Sequence, residues 1–201
     1  VGGYGLSLVS YGLDPVIPRM KSADFILGVG WQEPGDTTSP LLLSYDKNDV
    51  RVWQVDSDGM QQIDSRSIEP ECPSGTPCAG WRPKHRDILL LNGKSISLWA
   101  LSQDPVEPLL DLPDSVQGFD WSDDGSKLAA WDREGNLRVL NTVQNVVTVS
   151  MTGTVQARFV DEDRFVLQTR DTPGAVQLWS GDGGKLLDFD TGAIPVERIE
   201  L

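Results

Sequence analysis

Histidine is almost absent from this chain: His85 is the only one in 201 residues. Paired imidazoles around zinc are therefore excluded, and a nucleophile could find an imidazole base only in His85. No Gly-x-Ser-x-Gly elbow is present either. Cysteine is as scarce, with only Cys72 and Cys78, both in ECPSGTPCAG. Gly75 and the two prolines favour a doubled-back loop in which a disulfide is geometrically allowed. Two reduced thiols in a surface loop remain the alternative, and half a zinc site would need two further ligands.

Positive charge is also in short supply. Seventeen Lys and Arg against 30 Asp and Glu leave a net charge of −13. Such a surface repels phosphate backbones and anionic lipid, so no nucleic acid is expected as a partner. The longest basic cluster, RPKHR (82–86), reads as a short polar turn. No apolar run approaches the ~18 residues of a membrane helix, which predicts no membrane insertion. The start, VGGYGLSLVSYG, has neither an initiator Met nor a basic n-region, and reads as a processed chain or a slice of a longer one. A cytoplasmic or nuclear location is the expectation, against which a Cys72–Cys78 disulfide would argue.

Helical patterning is missing too. Only 102–112 looks amphipathic, and it contains Pro105 and Pro108, which do not fit a helix interior. What the chain has in quantity is short apolar or alternating runs separated by Gly, Pro, Asn and Asp turns. The class is all-β.

These runs repeat. DVRVW ends at Trp53, SISLW at Trp99, NLRVL at Leu140 and AVQLW at Trp179, at spacings of 46, 41 and 39 residues. Apolar residues alternate with polar or small ones in each, as in a strand with one buried face. A turn precedes each: YDKND (45–49), LNGK (91–94), DREG (132–135) and DTPG (171–174). Before each turn lies a more continuously apolar strand: PLLLSY, DILLL, KLAAW and RFVLQ. A strand before that ends at Trp31, Trp81, Trp121 and Val160, at spacings of 50, 40 and 39. MQQID, PVEPLLDL, NVVTVS and KLLDF supply a looser fourth strand, whose prolines suit an outer edge. The first two repeats are longer through QEPGDTTS and CPSGTP, which fall in loops.

Four antiparallel strands in roughly forty residues make a β-propeller blade. A β-sandwich with regular turns would lack the internal copying. The blades are predicted at about 25–65, 66–113, 114–152 and 153–190, a single propeller domain over 1–201 or part of a larger one. Flanks 1–24 and 191–201 are candidate strands of a further blade, giving a closed five-blade ring or a partial ring.

The best-preserved blade, FDWSDDGSKLAAWDREGNLRVLN (119–141), resembles the WD-repeat family through Phe119, Trp121, Ser122, Asp124, Gly125, Leu128 and Ala129. VRVW, ISLW and VQLW look like that family's third strand. The Gly-His opening and the Trp-Asp ending are absent, so the family's His–Asp–Ser–Trp network is carried over to no blade. The DDG turn also resembles propellers appended to prolyl-oligopeptidase-type enzymes.

What the resemblance implies is a non-catalytic protein-interaction scaffold within a multi-protein assembly, its partners other proteins or peptide segments. The alternative is a regulatory or substrate-gating propeller of a larger hydrolase. No cofactor or metal is expected. Loops between second and third strands would form the partner-binding rim: Asp46, Lys47, Asn48, Lys94, Asp132, Arg133, Glu134, Arg170 and Asp171. Asp123 and Asp124 read as turn formers and SGDGGK (180–185) as a hairpin turn. Trp53, Trp99 and Trp179 read as core. Trp131, outside that pattern, is expected nearest the surface.

Overall fold

The computed structural model describes residues 28–32, 40–46, 48–56, 59–68, 78–102, 106–172 and 174–190. The predicted flanks 1–24 and 191–201, both loop inserts apart from Gln32, and Lys47 lie outside these residues. Among the described residues, sixteen strands form four antiparallel sheets, each a meander of four consecutive strands. The first sheet holds β1 (Gly28–Trp31), β2 (Leu41–Tyr45), β3 (Asp49–Asp56) and β4 (Gly59–Ser67). The second holds β5 (Ala79–Trp81), β6 (Asp87–Asn92), β7 (Ser95–Ala100) and β8 (Glu107–Asp111). The third holds β9 (Val116–Trp121), β10 (Lys127–Asp132), β11 (Leu137–Asn141) and β12 (Val146–Met151). The fourth holds β13 (Thr154–Phe159), β14 (Arg164–Thr169), β15 (Ala175–Ser180) and β16 (Lys185–Asp190).

Burial explains the two kinds of apolar pattern. Second strands such as β6, DILLLN, are buried over a continuous run because neighbouring sheets cover both faces, Ile88 and Leu90 packing toward the first sheet and Leu89 and Leu91 toward the third. Third strands alternate: Val50 and Val52 are buried around a half-buried Arg51, and Leu137 and Val139 around Arg138. Fourth strands form the outer edge, where Val146, Val147, Leu186 and Leu187 stay exposed. Pro108 sits on such a strand, in β8, where its missing donor interrupts no further ladder.

The core lies between successive sheets. One cluster joins Leu41, Val50 and Val52 of the first sheet to Ile88, Leu90 and Trp99 of the second. Another joins Leu89, Leu91 and Ile96 to Trp121, Leu128 and Leu140 of the third. The last joins Ala129, Trp131, Leu137 and Val139 to Ala157, Phe165 and Leu167 of the fourth. Sheets stacked face to face in chain order, each covering its neighbour, are propeller blades.

Registers test the sequence alignment row by row. Leu42, Ile88, Leu128 and Phe165 pair with Trp53, Trp99, Leu140 and Trp179, which confirms the third-strand repeat. On their other side the same residues pair with Trp31, Trp81, Trp121 and Phe159. The fourth copy of the first-strand aromatic is therefore Phe159, not Val160. Val160 instead donates its N–H to Arg164 O from within the turn, as Ser122 does to Lys127 O one sheet earlier. Each third-to-fourth strand pairing also carries a β-bulge, at Val52/Trp53, Ile96/Ser97, Val139/Leu140 and Leu178/Trp179. A bulge adds local twist and turns the outer strand. No hydrophobic pattern announced it.

Two tryptophan expectations need correction. Trp131 is buried at 7% exposure, its indole lying over Gly118 of β9 within the third cluster. Glycine opposite leaves the space the indole occupies, so the large ring turns inward. Of the repeated tryptophans, Trp99 is fully buried, whereas Trp53 and Trp179 are half-buried. Trp53 Nε1–H donates to the buried Ser44 Oγ at 2.8 Å. Cys78 is buried and disulfide-bonded.

Candidate partner-binding rim

The turns between second and third strands occupy the same end of every sheet, because each follows an equivalent second strand in an equivalent meander. Asp46 ends the first such strand. Its carboxylate accepts the N–H groups of Asn48 and Asp49 at 2.8 and 2.9 Å and pairs with Arg51 at 2.6 Å. Burial works to raise its pKa, but those N–H groups and Arg51 outweigh it and hold the group below the ordinary range. Asp132 is its counterpart in the third sheet. It accepts Asn136 N–H and Nδ2–H, each at 2.8 Å, and Asp114 N–H at 3.0 Å.

Both aspartates are buried, at 0 and 1% exposure, with their oxygens engaged in shaping the turns. Their carboxylates shape the turns that carry the neighbouring exposed side chains. Asn48, Lys94, Arg133, Glu134, Arg170 and Asp171 are exposed.

Backbone bonds tie these turns to the linkers between sheets. Ile68 N–H donates to Asn48 O, Leu112 N–H to Lys94 O, and Arg133 N–H to Ser115 O. Onward, Thr154 N–H donates to Gly135 O and Arg170 N–H to Gly153 O. The Arg170 guanidinium itself donates to Arg133 O, bringing two predicted rim residues together across sheets. Gly135 adopts a φ of +87°, and a Cβ there would lie 2.8 Å from Thr154 O. Only glycine permits this close crossing. The rim is therefore a chain of charged side chains on a tied backbone.

At the opposite end of the strands, the first reversals also interlock. Arg82, read from sequence as part of a polar turn, crosses to the third sheet. Its Nε–H donates to Gly125 O at 2.8 Å and its Nη2–H to Thr142 Oγ1 at 3.0 Å, with the guanidinium 5.6 Å from the Trp121 ring centre. Asp124 bonds Ser122 Oγ–H and Ser126 N–H, at 2.7 and 2.9 Å, as expected of a turn former. Burial would raise its pKa, yet the Ser126 and Ser122 bonds and Lys127 bring it down to about 2.

Asp120 was missed. It occupies the inner-strand position held by Gly30 and Gly80 in the first two sheets and by Arg158 in the fourth. Its carboxylate accepts Phe159 N–H at 2.7 Å, a donor on the free side of β13, and pairs with Arg158 at 2.9 Å. Burial pushes its pKa up, against the pull of Phe159 N–H and Arg158. An aspartate between Phe119 and Trp121 was the available signal, since a charge inside an aromatic stretch requires a partner.

This geometry is that of a WD40-type β-propeller. The C-terminal WD40 domain of Sif2 superposes with a TM-score of 0.61 at 16% identity, over 86% of this chain and 48% of that one. Hsv2 of K. marxianus gives 0.64 at 10% identity over 90% and 57%, and Hsv2 of Kluyveromyces lactis 0.61 at 9% over 81% and 51%. The chain thus spans about half the length of the solved structures it matches. Identity at this level establishes the fold alone. No protein-family model matches the sequence, and no curated protein matches it.

Proposed function

We propose that this chain is a non-catalytic interaction scaffold within a multi-protein assembly, docking a protein segment on the rim of turns between second and third strands. Propellers of the WD40 fold commonly mediate protein–protein contacts, and the rim has the composition for it. The observation that carries the reading is the set of exposed side chains of both signs, Lys94, Arg133, Glu134, Arg170 and Asp171, with the neutral Asn48, mounted on turns tied to neighbouring linkers. A tied backbone presents its charges without a large ordering cost on binding. Mixed signs select partners by complementarity rather than by bulk attraction.

The test is comparative capture with tagged wild-type protein, an R133E/E134K variant, and D123K at the opposite end of the strands. Partners retained by D123K and lost by R133E/E134K support the rim, with Tm unchanged in both because exposed substitutions stay within about 0.5 kcal/mol. Identical partner sets for all three proteins overturn it.

A further inference from the structure

Each sheet ends in an outer strand whose far edge pairs with no other strand among the described residues. Such an edge offers backbone N–H and C=O groups to any passing chain, and proteins guard it with charge, proline or a bulge. The bulge is common to all four outer strands. Charge and proline are not. β4 carries Asp64 and Arg66, β8 carries Glu107, Pro108 and Asp111, and β16 carries Lys185, Asp188 and Asp190. β12, VVTVSM, has neither a charge nor a proline.

The lack extends beyond the strand itself. From Val139 to Ala157 no side chain is charged, the longest such stretch in a chain of net charge −13. Within it Val143, Val146 and Val147 stand exposed at 77, 52 and 39%. The strand is nevertheless held firmly from within. Val149 packs in the third cluster, and Thr148 Oγ1–H donates to Gly181 O at 2.7 Å. An edge already fixed in place pairs with little ordering cost. It runs between the rim turns and the opposite reversals, so a contact along it owes nothing to the rim.

Charge selects the occupant. Two copies of so acidic a chain repel one another over most of their surface. A centred antiparallel self-pairing of β8 would set Glu107 against Asp111 of the second copy. The same pairing of β12 sets Val147 against Ser150 and Val146 against Met151 of the second copy, with no charge opposed. A two-fold axis repeats each of these pairs, as a self-complementary contact requires. We propose that two copies of this chain join edge to edge through β12, antiparallel, merging their third sheets into one continuous sheet. An edge of 6 residues buries less than the about 1,200 Å² of a permanent interface, so the dimer is reversible, with a Kd on the order of 100 µM.

The experiment is sedimentation velocity of the 201-residue chain from about 5 µM to about 1 mM, where mass action reveals a weak dimer. A concentration-dependent dimer is expected. V147K/S150K sets lysine against lysine across the seam and should weaken it about tenfold or more, although it makes each copy less acidic. L187K, on the exposed outer strand of the fourth sheet, should not weaken it. Mixing V147K/S150K with V147E/S150E should restore a heterodimer, which a folding defect would not do. Hydrogen exchange on the wild-type chain needs no variant: amides of Val146–Met151 should slow as concentration rises, while those of β4, β8 and β16 should not. A monomer at every concentration overturns the proposal and leaves the edge to a strand of another protein. Loss of the dimer in L187K but not in V147K/S150K overturns it in favour of the fourth sheet. Failure of the mixed variants to pair, or exchange at β12 independent of concentration, overturns it as well.

Discussion

Replacing Gly118 by alanine adds one methyl group, yet it should be among the most damaging small substitutions in this chain. A Cβ at Gly118 would stand 2.3 Å from Trp131 Cζ2, 2.7 Å from Cε2 and 3.0 Å from Cη2. Ordinary carbon contacts begin near about 3.5 Å, so the indole must retreat by about an ångström. It has little room, packed with Ala129, Leu137, Val139 and Ala157 between the third and fourth sheets. Overpacking at such a site costs about 3 kcal/mol, the upper end of its usual range. The matched control is G30A, whose Cβ would meet Trp81 Cδ1 at an ordinary 3.5 Å. There the lost chain entropy of glycine should leave stability unchanged or raised by about 0.5 kcal/mol. Urea unfolding followed by both circular dichroism and tryptophan fluorescence measures the difference, with coincident curves required before two-state free energies are extracted. A double-mutant cycle isolates the cause. W131L alone should cost about 2–4 kcal/mol, but in its presence G118A should cost less than about 0.5, a coupling of more than 2 kcal/mol. Full stability in G118A, or the same cost with and without Trp131, refutes the reasoning.

Two other outcomes follow from single groups. Asp124 has a folded pKa of about 2, below its unfolded one, so its stabilisation is complete above about pH 4.5 and is lost as pH falls toward 2; Asp46, also lowered, acts in the same direction. For Asp124 this is about 1 kcal/mol after solvent screening, and D124N should flatten the acid limb of a stability–pH curve measured by denaturant titration; an unchanged limb contradicts the assignment. S44A should cost about 1–2 kcal/mol by leaving the Trp53 indole N–H without its 2.8 Å acceptor, read as a lowered Tm that S44T largely restores. Equal losses in S44A and S44T would point to packing instead.

Much of the fold is visible in the order of residues because a blade is a local object. Each strand pairs with its chain neighbour, so the period-2 pattern of VRVW and the turn chemistry of DREG specify pairing without long-range information. Continuous apolar runs in second strands even announce that both faces are covered. The same locality misled at Val160, where the fourth copy lacks tryptophan and an adjacent apolar residue passed for its replacement; only hydrogen-bond register separates the two. The turns between second and third strands were legible, but Asp46 and Arg133 look alike as turn charges until burial separates them.

The sequence by itself determined the all-β class, the four-strand unit, its fourfold copying and the position of every reversal described above, since these depend on interactions within about forty residues. Contacts between sheets were decided only by the tertiary structure. Trp131 turns inward because Gly118 faces it, Arg82 crosses to Gly125 and Thr142, and Asp120 finds Arg158 and Phe159 some 38 and 39 residues away. The physical reason is one of direction: alternation tells which face of a strand is apolar, but not which neighbour will stand against it.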